Sequence, residues 1–405
     1  MAKKKHTVID IFAGCGGLSL GLHNAGWEGL FAIEKSPHAF STLKYNLIDR
    51  HKHFSWPKWL PQTHHDINEV IDNYSDKLEK LRGKVTLVAG GPPCQGFSMA
   101  GQRNEDDIRN QLIHAYIKFV SLVKPKLIFF ENVKGFTMEF KNNEEKGRRY
   151  SDFVLEQLDN QGYYVCGKLI NFGDYGIPQK RTRFILIGMR KNINGASADL
   201  VNSFFYQLEN NRFNFLNERG LTINPNIEDA ISDLLTNKII DTPDRKGFKS
   251  SEYKPYDSQL QKYLRKDYDE KIPNSHSFAK HSLVVQNRLK YIISIAKSCR
   301  NLSNEIKRDL GITKQVLVPL RAREQAPTIT SHPDDLVHYC EPRILTVREY
   351  ARIQCFPDDY EFKGKYTTGG KLRKQEVPRY TQIGNAIPPL FGEQSGLILK
   401  GLING

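Results

Sequence analysis

The sequence predicts an α/β fold in which a mostly parallel sheet carries the chemistry and a second, smaller domain follows. Three observations predict it. The β-rich run Thr7 to Phe12 ends in a glycine turn, Ala13 to Gly17, and passes into an amphipathic stretch, Leu18 to Ala25, which makes the first half of a βαβ unit. Apolar runs of strand length then recur with helical stretches between them, the pattern of parallel strands joined by crossovers. From about Lys191 that alternation stops, and residues 191–325 carry more Asn, Lys, Ser and Tyr with few long apolar runs. The 405 residues suffice for about two domains of ordinary size.

Taken in order, the glycines of the first turn let a ligand approach the backbone at Gly14 and Gly16. Ser19 stands where the dinucleotide fingerprint needs its third glycine, so a nicotinamide reading is weak. A second strand, Gly29 to Ile33, ends in Glu34, placed to accept hydrogen bonds from a ribose diol. Residues 46–64 read as a loop, after which Asp66, in His65-Asp66-Ile67-Asn68, is available to the base of the same nucleoside cofactor.

Val85 to Ala89 is a further strand, and Gly90-Gly91-Pro92-Pro93 stops its pairing just before Cys94. A thiol held at a strand's C-terminal end by two φ-locked prolines is a candidate nucleophile, although an isolated cysteine is more often a small buried hydrophobe. The polar segment 98–110 reads as a lid, and Leu112 to Val123 has helical periodicity. Lys126 to Phe130 is another buried strand, so in a parallel sheet Glu131 emerges on the same rim as Cys94. Strands Tyr163 to Asn171 and Arg183 to Met189 flank Gln179-Lys180-Arg181-Thr182-Arg183, where Arg181 and Arg183 alternate at period two and share one face of an extended segment. Helices are expected at Ile227 to Leu235 and Gln286 to Cys299, and Thr346 is an N-cap within Arg343 to Asp358. The apolar stretch Leu390 to Leu402 needs a core, and the N-terminal sheet is the nearest incomplete one.

Composition narrows the function. Apolar residues make up 39% of the chain, no run of 18 or more apolar residues occurs, and Met1 to Lys5 has no signal-peptide core, so a soluble, intracellular protein is expected. The six cysteines show no paired spacing, which indicates neither a disulfide framework nor a zinc site. Net charge is +14; between Lys271 and Arg323 eleven Lys or Arg stand against two acids, a plausible track for phosphates.

In their order these motifs resemble the DNA (cytosine-5) methyltransferases. The matching pieces are Asp10-Ile-Phe-Ala-Gly-Cys-Gly-Gly, Glu34, Asp66-Ile67, Gly91-Pro-Pro-Cys-Gln, Glu131-Asn-Val, Gln179-Lys-Arg-Thr-Arg, Arg343 to Asp358 and Gln382-Ile-Gly-Asn. They cover roughly residues 7–190 and 326–400. The resemblance implies a Rossmann-like sheet domain that binds S-adenosylmethionine, residues 1–190 with 378–405, and a target-recognition domain, 191–377, for duplex DNA. It implies Phe12, Gly14, Gly16, Glu34, Asp66, Ile67, Leu112 and Asn385 as cofactor residues, Cys94, Glu131, Arg181 and Arg183 as catalytic residues, and Gln95, Ser98 and Asn132 near the DNA. Ser36 departs from the acid the family often has two positions after the ribose glutamate. The implied reaction is methyl transfer to carbon 5 of a flipped cytosine through a covalent Cys94 adduct, in a cytoplasmic, monomeric enzyme of the bacterial modification type with a restriction endonuclease as companion. A tRNA cytosine-5 methyltransferase, an inactive DNA-binding relative and a nicotinamide oxidoreductase are the rival readings.

Overall fold

Apolar runs rich in β-branched, aromatic and aliphatic residues become strands β1 (Thr7–Ile11), β2 (Glu28–Ile33), β3 (Leu87–Gly90), β4 (Leu127–Val133), β5 (Tyr163–Asn171) and β7 (Thr182–Arg190), and the polar pair Gln179–Lys180 forms the short β6. Six of them form one sheet in the order β2-β1-β3-β4-β7-β5. The first four run parallel, and β7 lies antiparallel between β4 and β5. Val8, Ile9, Val88, Ala89, Phe129 and Phe130 are at most 1% exposed, because helices cover both faces of a parallel sheet. The expected α/β class is therefore what forms.

The computed structural model describes residues 5–93, 108–139, 149–368 and 376–404. The chain divides into two compact units, one made of Met1–Asn171, Thr182–Arg212 and Phe391–Gly405, the other of Phe172–Arg181 and Phe213–Leu390. These limits differ from the expected 190/191 and 377/378. The compositional change at Lys191 marks the end of β7 rather than of the unit. In the second unit, Gln354 donates to Ile383 O (2.9 Å) and Ala386 O (3.1 Å), and the Tyr380 hydroxyl donates to Leu345 O (2.8 Å), which fastens 378–390 there. Residues 172–181 join the same unit because β6 pairs with Ala326–Pro327 and the Gln179 side chain bridges Gln354 and Ile329.

Within the first unit the C-terminal helix Pro389–Asn404 returns to the sheet, where Trp27 Nε1 donates to Gly396 O (2.9 Å). Two expectations need correction. Residues 46–64 are not all loop, since helix Pro37–Leu43 runs on as a π-helix, Lys44–Arg50. The expected lid 98–110 lies outside the described residues up to 107, and its last three residues already belong to helix Ile108–Val123.

The second unit buries charge instead of long apolar runs. Thr346 caps helix Val347–Ile353 in a capping box with Glu349. Glu349 also takes a two-pronged ion pair from Arg343 (2.8 and 2.7 Å). Arg352, 0% exposed, pairs with Asp358 through Nε and Nη2 (both 2.6 Å) and with Asp233 (3.2 Å). Arg348 binds the Asn274, Pro357 and Tyr360 carbonyls.

Deleting one member of this network strands the others in a desolvated site. Arg352→Leu is expected to lower stability by about 3–5 kcal/mol in urea denaturation, whereas Lys238→Gln, at an exposed pair with Glu252, leaves it nearly unchanged. Burial raises the Glu349 carboxyl, but Arg343 outweighs it and holds the group at about 2 against an ordinary 4.5. That contribution is present above about pH 4.5 and lost as pH falls toward 2, so Glu349→Gln should flatten this part of the acid-unfolding curve.

Candidate active site

Strand register assembles the site. Ile33 pairs with Ile11, Ile11 with Gly90 and Gly90 with Phe130, so Glu34, Phe12 and Gly91 leave the sheet side by side at its C-terminal rim, level with Glu131, from which β4 runs on to Val133 paired with β7. Antiparallel β7 begins at that rim, with Arg183 opposite Val133. Gly90 and Gly91 make the close passage possible. Gly90 has φ 136°, and a Cβ there would lie 1.8 Å from Ile11 O; at Gly91 it would lie 2.1 Å from Glu131 O. The chain thus turns into Pro92 and Pro93 wedged between β1 and β4.

Glu131 and Arg183, expected as catalytic partners, meet: Arg183 Nε lies 3.0 Å from Glu131 Oε1, with side chains 12% and 15% exposed. Most water is excluded from this pair, and one edge stays open. Arg183 also donates to Thr182 O (2.9 Å). Asn132, expected near DNA, is 1% exposed; its amide donates to Pro92 O (3.4 Å) and its carbonyl oxygen accepts from Val133 N (2.8 Å). It anchors the loop that leads to Cys94. Cys94, Gln95 and Ser98 themselves lie outside the described residues. Arg181, 2% exposed, belongs to the other unit, between β6 and β7, which lie in different sheets.

A second group forms a cradle beside the rim. Phe12 (φ 59°), Gly14 (φ 56°) and Gly16 (φ 88°) all adopt left-handed conformations, and a Cβ on Gly14 would meet nothing within 4 Å. Phe12 is the one of the three for which this is costly, the kind of strain that collects at ligand sites. Glu34 Oε2 accepts from Gly14 N (2.9 Å) and Oε1 from Ser36 N (2.7 Å). Burial raises its carboxyl, and the amides of Ser36, Gly14 and Lys35 oppose that rise. With about four lone-pair sites on a carboxylate, three amides leave acceptor capacity for a hydroxyl donor. His65 N donates to Glu34 O (2.8 Å), which brings Asp66 alongside; Asp66 caps helix Ile67–Asn73 and pairs with Lys35 (2.8 Å). Ile67 is 2% exposed. Ser36, where the resemblance departs, caps helix Pro37–Leu43 through Ala39 N (3.3 Å), a buried job an acid is not needed for. Leu112 is half-buried on helix Ile108–Val123, and Asn385 is exposed at the end of Arg379–Asn385 in the other unit.

Sequence reasoning gave no role to the acid beneath this cradle. Asp10, 1% exposed, accepts a hydrogen bond from Ser19 Oγ, and its Oδ1 is buried with no hydrogen-bond partner among the described residues. Burial pushes its carboxyl up to about 7, with Ser19 pulling it down and Glu34 pushing it up. The signal was present: Ser19 replaces the third glycine and answers the acid that precedes the turn.

Gly91→Ala is expected to lower stability by at least about 1–3 kcal/mol through overpacking, measured by thermal melting. An acid whose folded value is raised supplies stability below its ordinary 3.8 that is lost as pH rises toward 7. Asp10→Asn should therefore abolish that loss between about pH 4 and 7 relative to wild type, read by denaturation at stepped pH.

Comparison with known proteins adds a consistent picture. The family model for the C-5 cytosine-specific DNA methylase matches residues 6–396. The Type II methyltransferase M.DdeI of Desulfomicrobium norvegicum is 30% identical over 401 residues, 95% of this chain and 86% of the relative. M.XorII of Xanthomonas oryzae pv. oryzae is 29% identical over 420 residues, 97% and 84% of the two chains. Among solved structures, a prophage-encoded E. coli protein described as a candidate DNA modification methyltransferase shares the fold with a TM-score of 0.64 at 24% identity, over 99% of this chain and 100% of that one. The S. pombe Dnmt2 methyltransferase shares it at 0.52 and 16% identity, over 98% and 99%.

Proposed function

The chain belongs to the C-5 cytosine-specific DNA methylase family, and we propose from that premise that it moves a methyl group from S-adenosylmethionine to carbon 5 of a cytosine in a specific duplex sequence. The observation that carries the chemistry is the Glu131–Arg183 pair on the rim, beside the glycine from which the Cys94 loop departs.

Carbon 5 of cytosine is a poor nucleophile. Addition of the Cys94 thiolate to carbon 6 makes the ring enamine-like and raises electron density at carbon 5. Glu131, protonated, hydrogen bonds to ring nitrogen 3 and stabilises the developing charge, while Arg183 holds the ring carbonyl oxygen. Carbon 5 would then take the methyl group as the bond from that methyl to the sulfonium sulfur breaks, leaving a neutral thioether; a base would remove the carbon 5 proton, and the electron pair returning to the ring would expel Cys94 as the thiolate that had added. Arg181 supports the carbonyl or a phosphate.

The cradle fits a nucleoside cofactor. The open space over Gly14 admits it, Glu34 has acceptor capacity left for a ribose hydroxyl, Asp66 and Ile67 border the base, and Phe12, Gly16 and Leu112 line the remainder, with Asn385 assigned to the cofactor by the family resemblance alone. When bound, S-adenosylmethionine supplies an electrophilic methyl group on a sulfonium.

A cytosine must leave the duplex stack first, at a cost of a few kcal/mol. The second unit, with the basic segment 271–323, is the DNA-reading part and helps to offset that cost, along with residues 98–107 and the backbone near Gln95 and Asn132. The relatives are Type II methyltransferases, so a cognate restriction endonuclease is the expected companion of a monomeric, cytoplasmic enzyme acting on the nucleoid. No described helix is long and apolar enough to cross a membrane.

Glu131→Gln is expected to lower kcat about 10²–10⁴-fold, and Cys94→Ser to abolish turnover while DNA and cofactor still bind. Duplex carrying 5-fluorocytosine should trap a denaturant-resistant adduct with wild type and none with Cys94→Ser. Tritium transfer to tRNA alone, with none to duplex DNA, would overturn the choice of substrate.

A further inference from the structure

Helix Leu283–Ile295 has two faces of opposite character. Leu289 and Ile292, 6% and 0% exposed, enter a small core with Leu302, Leu317 and Val337, and Val285 and Ile293 pack against it. At 100° per residue, those four side chains span an arc of about 100°. On the other side Leu283, Val284, Asn287, Lys290, Tyr291 and Ser294 are all exposed, within an arc of about 120°. Leu283 is 75% exposed, Val284 69% and Tyr291 53%. A face meant only for water has no use for two bare aliphatic side chains and a tyrosine beside an amide, a hydroxyl and an ammonium group.

The charge around this face selects its occupant. The helix contains Arg288 and Lys290 and no acid, and it sits in the stretch where eleven Lys or Arg stand against two acids. A protein partner of ordinary acidity gains little from such a mixed row of short polar groups, whereas a nucleic-acid groove offers phosphates at its walls and base edges at its floor. The major groove of B-DNA admits one helix. Asn pairs in two-pronged fashion with adenine N6 and N7, aliphatic groups contact the thymine methyl, and Lys reaches phosphate or guanine.

We infer that helix Leu283–Ile295 enters the major groove of the target duplex, with Asn287 reading a base, Val284 and Tyr291 packing beside it and Lys290 bound to phosphate. This rests on the reading of the chain as a duplex-DNA methyltransferase. Because these side chains lie outside the core, their replacement leaves the fold intact, which a thermal melt verifies.

The test compares wild type with Asn287→Ala, Tyr291→Ala and Lys290→Gln. Wild type is expressed in cells, and bisulfite sequencing of their DNA gives the recognised sequence. Asn287→Ala is expected to relax that sequence at one base position and to weaken binding of the cognate duplex roughly tenfold, the loss of one base contact. Lys290→Gln should keep the sequence and reduce the slope of log affinity against log salt by about one. Formation of the 5-fluorocytosine adduct at saturating duplex should be unchanged in all three. If the variants keep the wild-type sequence, affinity and salt slope, the inference is overturned and the face belongs to another partner. If wild type itself methylates no duplex DNA, the underlying reading fails first, and this inference falls with it.

Discussion

The passage of Gly90 and Gly91 between two neighbouring strands is the constraint on which the rim depends. A single methyl group at either position would collide with a backbone carbonyl, of Ile11 on one side and of Glu131 on the other. Backbone cannot step aside as a side chain can, so only glycine lets β3 end in contact with both neighbours. Pro92 and Pro93 then fix φ as the chain leaves the sheet, and Asn132 clasps the Pro92 carbonyl from β4. The direction in which the chain leaves β3 is therefore set by covalent stiffness and steric exclusion rather than by many weak contacts.

Three carboxyl groups near this rim are given three different environments. Asp10 lies under the sheet's edge with one hydroxyl donor and is driven toward its neutral form. Glu34 is just as shielded and its carboxyl is raised by burial too, but the amides of Ser36, Gly14 and Lys35 oppose the rise. Glu131 faces a guanidinium at the open edge. Burial and nearby donors thus give one functional group three different electrostatic settings around the rim.

The two units reach order by different means. In the first, apolar strands vanish between helices, and burial alone is enough to define their positions. In the second, residues that look like surface are interior: Arg343, Arg348, Arg352, Glu349 and Asp358 are nearly or wholly inaccessible and neutralise one another. Such pairs add little net stability over an apolar core, yet any arrangement that separates them is heavily penalised. Here they hold the capped helix Val347–Ile353 in one orientation, and the Gln354 amide carries that orientation to the segment around Ile383.

By itself the sequence determined the class of fold, the order of strands along the chain and the position of Glu34 and Glu131 near the C-terminal rim, because strand period, glycine and proline act locally and both acids follow an apolar run. It also determined Thr346 as a cap, since a cap needs only its own next turn. It did not disclose that β7 reverses direction, that Lys44–Arg50 continues a helix or that the units part at 212/213, since those depend on partners distant in the chain. Nor could it show Asn132 as an anchor, Arg181 in the other unit or Asp10 pressed against Ser19. Each of those is a matter of which groups lose water together, and only the folded chain, by bringing distant segments within hydrogen-bonding distance, decides that.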